Sequence, residues 1–355
     1  MVEGTAPLRI LGATAYPVTA PSARVRVASF EPFLRSEGIE LDYRPTLTDN
    51  EYAVLASSAP VARKAAVLAA SAWRAAVSRP AHDLLLIHRL RLLSPLVGID
   101  PPRRLDVYDI DDALFLGFAA EVNRGFQWAK QETRRSITCM RRARLVIAGN
   151  VYLAGRAREY APRVEVIPSC VNPDRQAVRV HGPAEVATIG WIGSSTTSLY
   201  LEPVLPVFER LNKDGVRAKL VLVGGDPGLR ADWIEHHRWS LADEGDHLAG
   251  FDIGIMPLPD TDWARGKCGY KLLQYFSAGV PAIASPVGVN SELIGRDRGL
   301  LATSPSEWYA ALKELVNDVD RRRDSGAAAR VFVEREYSYQ RWAPEVAKLM
   351  RSLVE

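Results

Sequence analysis

Residues 251–290, FDIGIMPLPDTDWARGKCGYKLLQYFSAGVPAIASPVGVN, combine a buried strand, a polar glycine-rich loop, a helix and a second strand in one unit. FDIGIMPL reads as a short apolar strand closed by Pro257 and Pro259. GVPAIASP reads as another, opened by the helix stop at Gly279 and ended by Pro286. Between them GKCGYK starts a helix. It sets Gly266 and Gly269 where backbone must come close to a ligand, and Lys267 and Lys271 beside the N–H groups at the positive end of the helix dipole. Two cations there oppose the dipole by roughly 0.3–1 kcal/mol each, so the arrangement asks for an anion.

This segment resembles the donor site of GT-B glycosyltransferases, specifically the retaining family four (glycosyltransferase group 1). The signature of that family is a glutamate, seven residues, a second glutamate, and a small-x-Gly-x-Pro turn. QYFSAGVP aligned on that ending puts Gln274 at the second glutamate and Gly266 at the first. Gly269 and the turn formed by Gly279 and Pro281 are retained, and the pattern is similar to a lysine-bearing branch of the family. The resemblance implies that position 274 meets the nucleotide ribose and that the loop amides, including that of Tyr270, hold donor hydroxyls. Gln274 can donate and accept hydrogen bonds but supplies no charge.

The chain has 355 residues, more than one core usually organises, and suits two domains. Its 47% hydrophobic and 25% charged content is that of a folded globular protein and excludes a disordered one. A net charge of +3 is mildly basic, compatible with an anionic substrate or a bilayer surface. The three cysteines, Cys139, Cys170 and Cys268, form no CxxC pair and read as reduced thiols in a cytoplasmic protein. No stretch has the apolar length of a signal segment or a membrane span, so a cytoplasmic location is expected.

Outward from the deciding segment, the elements alternate in both directions. PLRILGATA, with Gly12, begins as a strand running into a loop; residues 22–38 read as one amphipathic helix carrying Arg24 and Arg26; IELDYRP is the next strand. Residues 49–79 read as helix, DLLLIHRL and RLDVYDIDD as central strands, residues 123–143 as helix, and RLVIAGN as a strand ending in the N-cap Asn150. The polar stretch 172–183 carries two prolines and reads as a linker. ATIGWIGSS, a helix over 201–212, and AKLVLVGG, ending at Gly224, then lead back to residue 251. The expected fold is therefore α/β, with two Rossmann-like doubly wound domains. Residues 1–175 would form an acceptor-binding domain and residues 176–335 a nucleotide-sugar-binding domain, facing a central cleft. A helix over 336–355 would cross back to the first, as the resemblance implies.

Further constellations bear on chemistry. GWIGSS puts Gly193, Ser194 and Ser195 between a strand and a helix, where amides and hydroxyls can wrap a diphosphate, although small residues there also serve tight packing in any doubly wound sheet. Related transferases carry Arg and Lys just beyond this loop; here they are missing, and Lys267 and Lys271 would supply the countercharge. Arg24, after the first loop, would approach the donor from the first domain or simply be solvated. His88 and Arg89 follow a central strand, at the end where ligands bind in such sheets, against the bland reading of a satisfied edge histidine. Asp109, Asp111 and Asp112 end another. They read as acceptor contacts, as orienters of His88, as a helix N-cap, or as the DxD of a metal-dependent GT-A transferase.

The expected function is a retaining, metal-independent glycosyltransferase with no cofactor besides a nucleotide-diphosphate sugar as co-substrate. Catalytic work falls to Lys267, Lys271, His88 and Asp111. Donor binding falls to Gly12, Arg24, Gly193, Ser194, Ser195, Gly224, Gly269, Tyr270 and Gln274, and the acceptor side to Arg89, Asp109 and Asp112. The acceptor is a polysaccharide, a lipid-linked glycan or a small metabolite. A metal-dependent transferase, a sugar-nucleotide epimerase and a non-catalytic sensor are the alternatives. Basic stripes, Arg63, Lys64, Arg74 and Arg79 in one helix and Arg134, Arg135, Arg141, Arg142 and Arg144 in the other, allow peripheral contact with the inner membrane face or simple solvation. No nucleic-acid signature accompanies Trp191, Trp239 and Trp263.

Overall fold

The computed structural model of the chain describes residues 6–57, 59–77, 81–89, 105–116, 132–183 and 185–355. They divide into two compact units, 1–169 with 339–355, and 170–338. Each is built on a six-stranded sheet in which every pair is parallel.

In the first unit the strands are β1 (Leu8–Thr14), β2 (Ile39–Pro45), β3 (Leu84–His88), β4 (Leu105–Ile110), β5 (Ala143–Ala148) and β6 (Val164–Val166), in the order β2-β1-β3-β4-β5-β6. β3 and β4 are buried along their whole length, which is why they read as near-continuous apolar runs. Their carboxyl ends come level at His88 and Asp109, which are register partners. The helix expected over 22–38 is two helices, Pro21–Arg26 and Glu31–Ser36, joined by a turn at Ala28–Phe30. Pro32, which has no N–H to give the preceding turn, starts the second. Residues 49–77 likewise divide into Asp49–Ala56, closed by a Thr48–Glu51 capping box, and Val61–Val77, which begins after Pro60. Asn150 caps as expected, accepting from the Leu153 N–H at 2.8 Å. The helix expected from residue 123 is Glu132–Arg142 within the described residues; 123–131, Leu90 and Arg79 lie outside them.

The helix Tyr339–Arg351 completes the first unit. The Tyr339 ring stacks on Phe33 at 5.3 Å and meets the edge of Phe30 at 4.8 Å, and its hydroxyl donates to the Val25 carbonyl at 3.1 Å.

In the second unit the strands are β7 (Ala187–Gly193), β8 (Ala218–Gly224), β9 (Ile234–His237), β10 (Ile253–Met256), β11 (Ala282–Ala284) and β12 (Gly299–Leu301), in the order β12-β11-β10-β7-β8-β9. β7 and β10 pair only at Ile253 with Ile189 and Gly254 with Gly190. Beyond that the Tyr275 hydroxyl takes over, accepting from the Ile192 N–H and donating to the Ile255 carbonyl, each at 3.2 Å. Its ring lies over Gly254 and the Phe251 ring over Gly190, positions where a β-carbon would fall 2.3 and 2.1 Å from ring atoms.

Residues 172–183 are anchored to the second unit. The Arg179 N–H donates to Ala278 O at 2.8 Å, its guanidinium pairs with Asp252 at 2.7 Å, and His181 Nε2 donates to Gly279 O at 2.9 Å. The stretch is polar because its polar groups are bonded to this unit. The helix Val319–Glu336, one of the longest in the unit, has no counterpart in the sequence reading, because glycine and arginines blur its apolar period; Asp318 caps it, accepting from Arg321 N–H at 2.8 Å.

Candidate active site

The carboxyl ends of β7 and β10 meet the helix Tyr270–Ser277, and β8 ends beside β7. β7 and β8 end in register at Gly193 and Gly224, and the Gly225 N–H donates to the Gly193 carbonyl at 2.7 Å. A β-carbon on Gly224 would lie 2.4 Å from that carbonyl, and one on Gly225 2.6 Å from the Ser194 carbonyl. Three glycines thus bring two backbones into contact, with Ser194 and Ser195 exposed beside them. Gly269 stands at the N-cap of the facing helix with φ 66°, ψ 17° and no capping side chain. A β-carbon there would fall 2.3 Å from Leu293, so the left-handed turn and the space both require glycine.

Lys271, in the first turn of that helix, lies one turn from Tyr275 and so on the same face. With Tyr275 holding β7 to β10, the Lys271 stem crosses the end of β7. A β-carbon on Gly193 would be 2.9 Å from Lys271 Cε, and the ammonium stands 5.5 Å from the Trp191 ring centroid. Lys267 lies before the helix, in the loop after a one-turn helix Asp262–Arg265 that Thr261 caps; its N–H donates to Ala264 O at 3.1 Å and its ammonium stands 5.8 Å from the Trp263 ring. The two lysines therefore do not share one helix start, as the sequence spacing suggested. Gln274 is 6% exposed, and its side chain makes no hydrogen bond to a described residue. It is a buried amide with donor and acceptor capacity at a site of backbone close approach.

In the first unit the polar groups at the ends of β3 and β4 form an alternating series of charges. Arg26 grips Asp109 with both arms, Nε to Oδ1 at 3.0 Å and Nη2 to Oδ2 at 2.6 Å, and donates to Ile167 O at 2.7 Å. His88 Nδ1 donates to Asp109 Oδ1 at 2.7 Å. The carboxylate can only accept, so Nδ1 carries a proton. Nε2 is buried with no hydrogen-bond partner, 3.8 Å from Asp111 Oδ1. Arg89 binds Asp111 at 2.7 Å and also binds Asp112.

Burial pushes the Asp109 carboxyl up, but Arg26 and then His88 outweigh it and hold it below the usual range. Asp111 is held well below by Arg89 against the same burial, and Arg89 is held above the usual arginine value by Asp111 and Asp112. Arg89 has φ 57°, the single positive value outside glycine among the described residues, and its N–H donates to Asp109 O at 3.0 Å.

Residues 186–318 match the sequence model of the family described as glycosyl transferases group 1. The matched stretch lies within the second unit. No curated protein matches the chain in sequence. The fold is that of GT-B glycosyltransferases. It is similar to a sucrose-phosphate synthase from Thermosynechococcus elongatus (14% identity, TM-score 0.70, 98% of this chain and 99% of that one). It is also similar to WaaG, a glycosyltransferase involved in lipopolysaccharide biosynthesis (12%, 0.64, 96% and 99%). A third similar structure is Anabaena HepE in complex with UDP and glucose (13%, 0.64, 97% and 100%).

The anticipated residues fall into two groups. Gly193, Ser194, Ser195, Gly224 and Lys271 lie together at the strand ends of the second unit, with Gly269, Tyr270 and Gln274 on the helix that carries Lys271. His88, Arg89, Asp109, Asp111 and Asp112 lie together in the first. Gly12 is not in a loop: it lies buried within β1, where a β-carbon would be 2.8 Å from Val27 and 3.0 Å from Leu41, so its size serves packing. Arg24 is buried and donates to the Val18 carbonyl at 3.1 Å. Among the described residues Asp111 and Asp112 precede a single 3-10 turn, Leu114–Leu116, and both carboxylates bind Arg89.

Arg26 was legible only as one of two helix arginines, and its role as the partner of Asp109 had no signal, because the pair is 83 residues apart. Trp191, expected to be core or cleft wall, is the buried aromatic beneath Lys271.

Proposed function

We propose that this glycosyltransferase moves a sugar from a nucleoside-diphosphate donor to a carbohydrate or small-molecule acceptor, with retention of anomeric configuration and without a metal ion. The observation that carries the reading is the Lys271 stem lying across the glycine end of β7, which brings a cation and the Gly193, Ser194 and Gly269 backbone to one place. Backbone N–H groups beside a cation suit a diphosphate, whose charge rises as the glycosidic bond breaks. Lys271, assisted by Lys267, offsets that charge; Tyr270 and Gln274 meet the donor's hydroxyls; Ser194 and Ser195 meet its phosphates. With countercharge on lysine, the departing phosphate oxygen takes the acceptor proton, and positioning does most of the work.

The first unit holds the acceptor. His88 turns its Nε2 lone pair to an acceptor hydroxyl, and Asp111 and Arg89 fix its surroundings. Support for metal-independence comes from charge: Asp109 and Asp111, the two carboxylates of a DxD reading, are each already bound to a guanidinium. The protein would work in the cytoplasm, against the inner membrane face.

Titration calorimetry against UDP, GDP, ADP and TDP, each with magnesium and with EDTA, tests the donor reading. Tight binding of one nucleotide in EDTA is expected. Binding that requires magnesium would return the diphosphate to Asp109 and Asp111. Retention is tested by the anomeric proton coupling of the first-formed product.

A further inference from the structure

Two tyrosines stand beside His88, whose Nε2 has no hydrogen-bond partner. β1 ends at Thr14, the register partner of His88, so residues 15–20 leave the sheet about one strand spacing, roughly 4.8 Å, from the end of β3. Tyr16 lies two residues past that strand end and Tyr52 on the helix Asp49–Ala56. Both are half-buried, with ring centroids 5.4 Å apart and planes at 57°. The Tyr16 carbonyl accepts from the Thr14 hydroxyl at 2.8 Å and the Tyr43 hydroxyl at 2.9 Å. The Thr19 hydroxyl donates to Asp49 Oδ1 at 2.8 Å and ties the loop to the first turn of the helix that carries Tyr52. Beyond the loop Ser22 binds Asp111, and the Tyr16 hydroxyl stands close enough to Arg89 to favour its charge. The ring pair is thus fastened on both sides, at the edge of the sheet where His88, Arg89 and Asp111 lie.

Shape and charge together select a ligand. A tyrosine ring offers a flat, electron-rich face with a polar tip, and the C–H face of a pyranose, edged by hydroxyls, is its complement. A buried nitrogen without a partner, beside carboxylate and guanidinium groups that hold each other in place, supplies the polar contacts that orient one hydroxyl. Rings tilted at 57° form a wedge, which suits a puckered ring better than a planar base sandwiched between parallel faces. Among the described residues, Asp49 and the three carboxylates at the end of β4 outnumber the guanidiniums of Arg24, Arg26 and Arg89 by four to three. Arg74 is paired with Glu51 and leaves that balance unchanged. The surroundings are net negative, so a phosphorylated or carboxylated acceptor would meet repulsion and a neutral one would not.

We propose that Tyr16 and Tyr52 form the subsite for a neutral sugar ring of the acceptor, which stacks on the tyrosines and turns a hydroxyl toward His88. This rests on the reading of the first unit as the acceptor side, and it narrows the acceptor to a glycoside whose reacting ring carries no charge.

Saturation-transfer NMR of the full chain without nucleotide tests it, with the methyl glycosides of glucose, galactose, mannose and N-acetylglucosamine and the 6-phosphates of the same sugars as probes. At least one methyl glycoside should bind, with transfer strongest to the C–H protons of one ring face, and about tenfold more tightly than its 6-phosphate. Tyr16→Ala and Tyr52→Ala should each weaken that binding about tenfold, while Tyr16→Phe and Tyr52→Phe keep most of it, with melting unchanged in all four. Lys271→Ala should leave glycoside binding as it is. Nucleotide calorimetry on the same protein separates this proposal from the donor reading: a tyrosine-dependent glycoside site in a chain that binds no nucleotide would sink the donor reading and leave the sugar subsite in place. No glycoside binding, binding that both alanine variants leave intact, tighter binding of the 6-phosphates, or binding lost in Lys271→Ala overturns the proposal.

Discussion

The side-chain stem of Lys271 occupies the space that a β-carbon on Gly193 would fill: the two would be 2.9 Å apart at Lys271 Cε. Glycine at the end of one strand and lysine in the first turn of a helix 78 residues later are thus parts of one surface. Lys271→Ala should weaken nucleoside-diphosphate binding by roughly 1.5–3 kcal/mol, the range for a hydrogen bond to a charged group, while leaving melting unchanged. Calorimetry measures this, and unchanged affinity would remove Lys271 from the site.

Gly225→Ala probes the neighbouring contact from the other side. Its β-carbon would stand 2.6 Å from the Ser194 carbonyl and 2.9 Å from the Ser195 nitrogen, both backbone atoms, so one loop must move. A stability loss of about 1–3 kcal/mol is expected, with weakened nucleotide binding. Retained binding in a destabilised variant would mean that the Ser194 loop does not touch the donor.

In the first unit, Arg26→Ala should cost about 3–5 kcal/mol, because it leaves the buried Asp109 carboxylate without its main counter-ion. Arg26→Met combined with Asp109→Leu should recover most of that loss. Denaturant titrations of the single and double variants compare the two, and a double variant as unstable as Arg26→Ala would mean that the pair itself stabilises the unit.

On the proposed reading, in which His88 Nε2 meets the acceptor, His88→Asn should lower transfer roughly 100-fold or more while leaving nucleoside-diphosphate affinity within about twofold. Equal losses in turnover and nucleotide affinity would contradict that division of labour.

His181 makes acid stability testable. Burial, with Arg179 and Arg322 nearby, holds its pKa below the ordinary histidine value, despite the Gly279 carbonyl and Asp252. The unfolded chain therefore binds a proton near pH 6.5 that the folded one refuses, and stability falls as pH drops from about 6.5 toward the depressed value. His181→Gln, which still offers a donor to Gly279, should flatten that part of the pH profile. An unchanged slope would show that His181 does not titrate there.

Much of the second unit was legible because its close backbone approaches and its packing use the same residues. A glycine needed at a strand end, a lysine at a helix start and a proline after a turn all leave marks at fixed local spacing. The 251–290 segment shows them in sequence order, and the elements follow. Lys267 and Lys271 were less legible. TDWAR folds into its own turn of helix, so the two lysines belong to different local structures although the spacing suits one. In the first unit the strands were plain but the charge series was not. Arg26, His88, Asp109 and Arg89 converge through sheet register, and nothing local in the sequence tells a buried arginine from a solvated one. Val61–Val77 read as basic and helical, but only burial reveals which face looks outward.

The helix Tyr339–Arg351, whose Tyr339 closes over Phe30 and Phe33, gives the chain an order of assembly. On the ribosome, residues 170–338 are complete and can fold before the last helix of the first unit has been made. The earlier-made first unit must wait, with Phe30, Phe33 and the Val25 carbonyl uncovered, for a segment more than three hundred residues downstream. This dependence makes residues 339–355 a segment whose deletion would do disproportionate harm to the first unit.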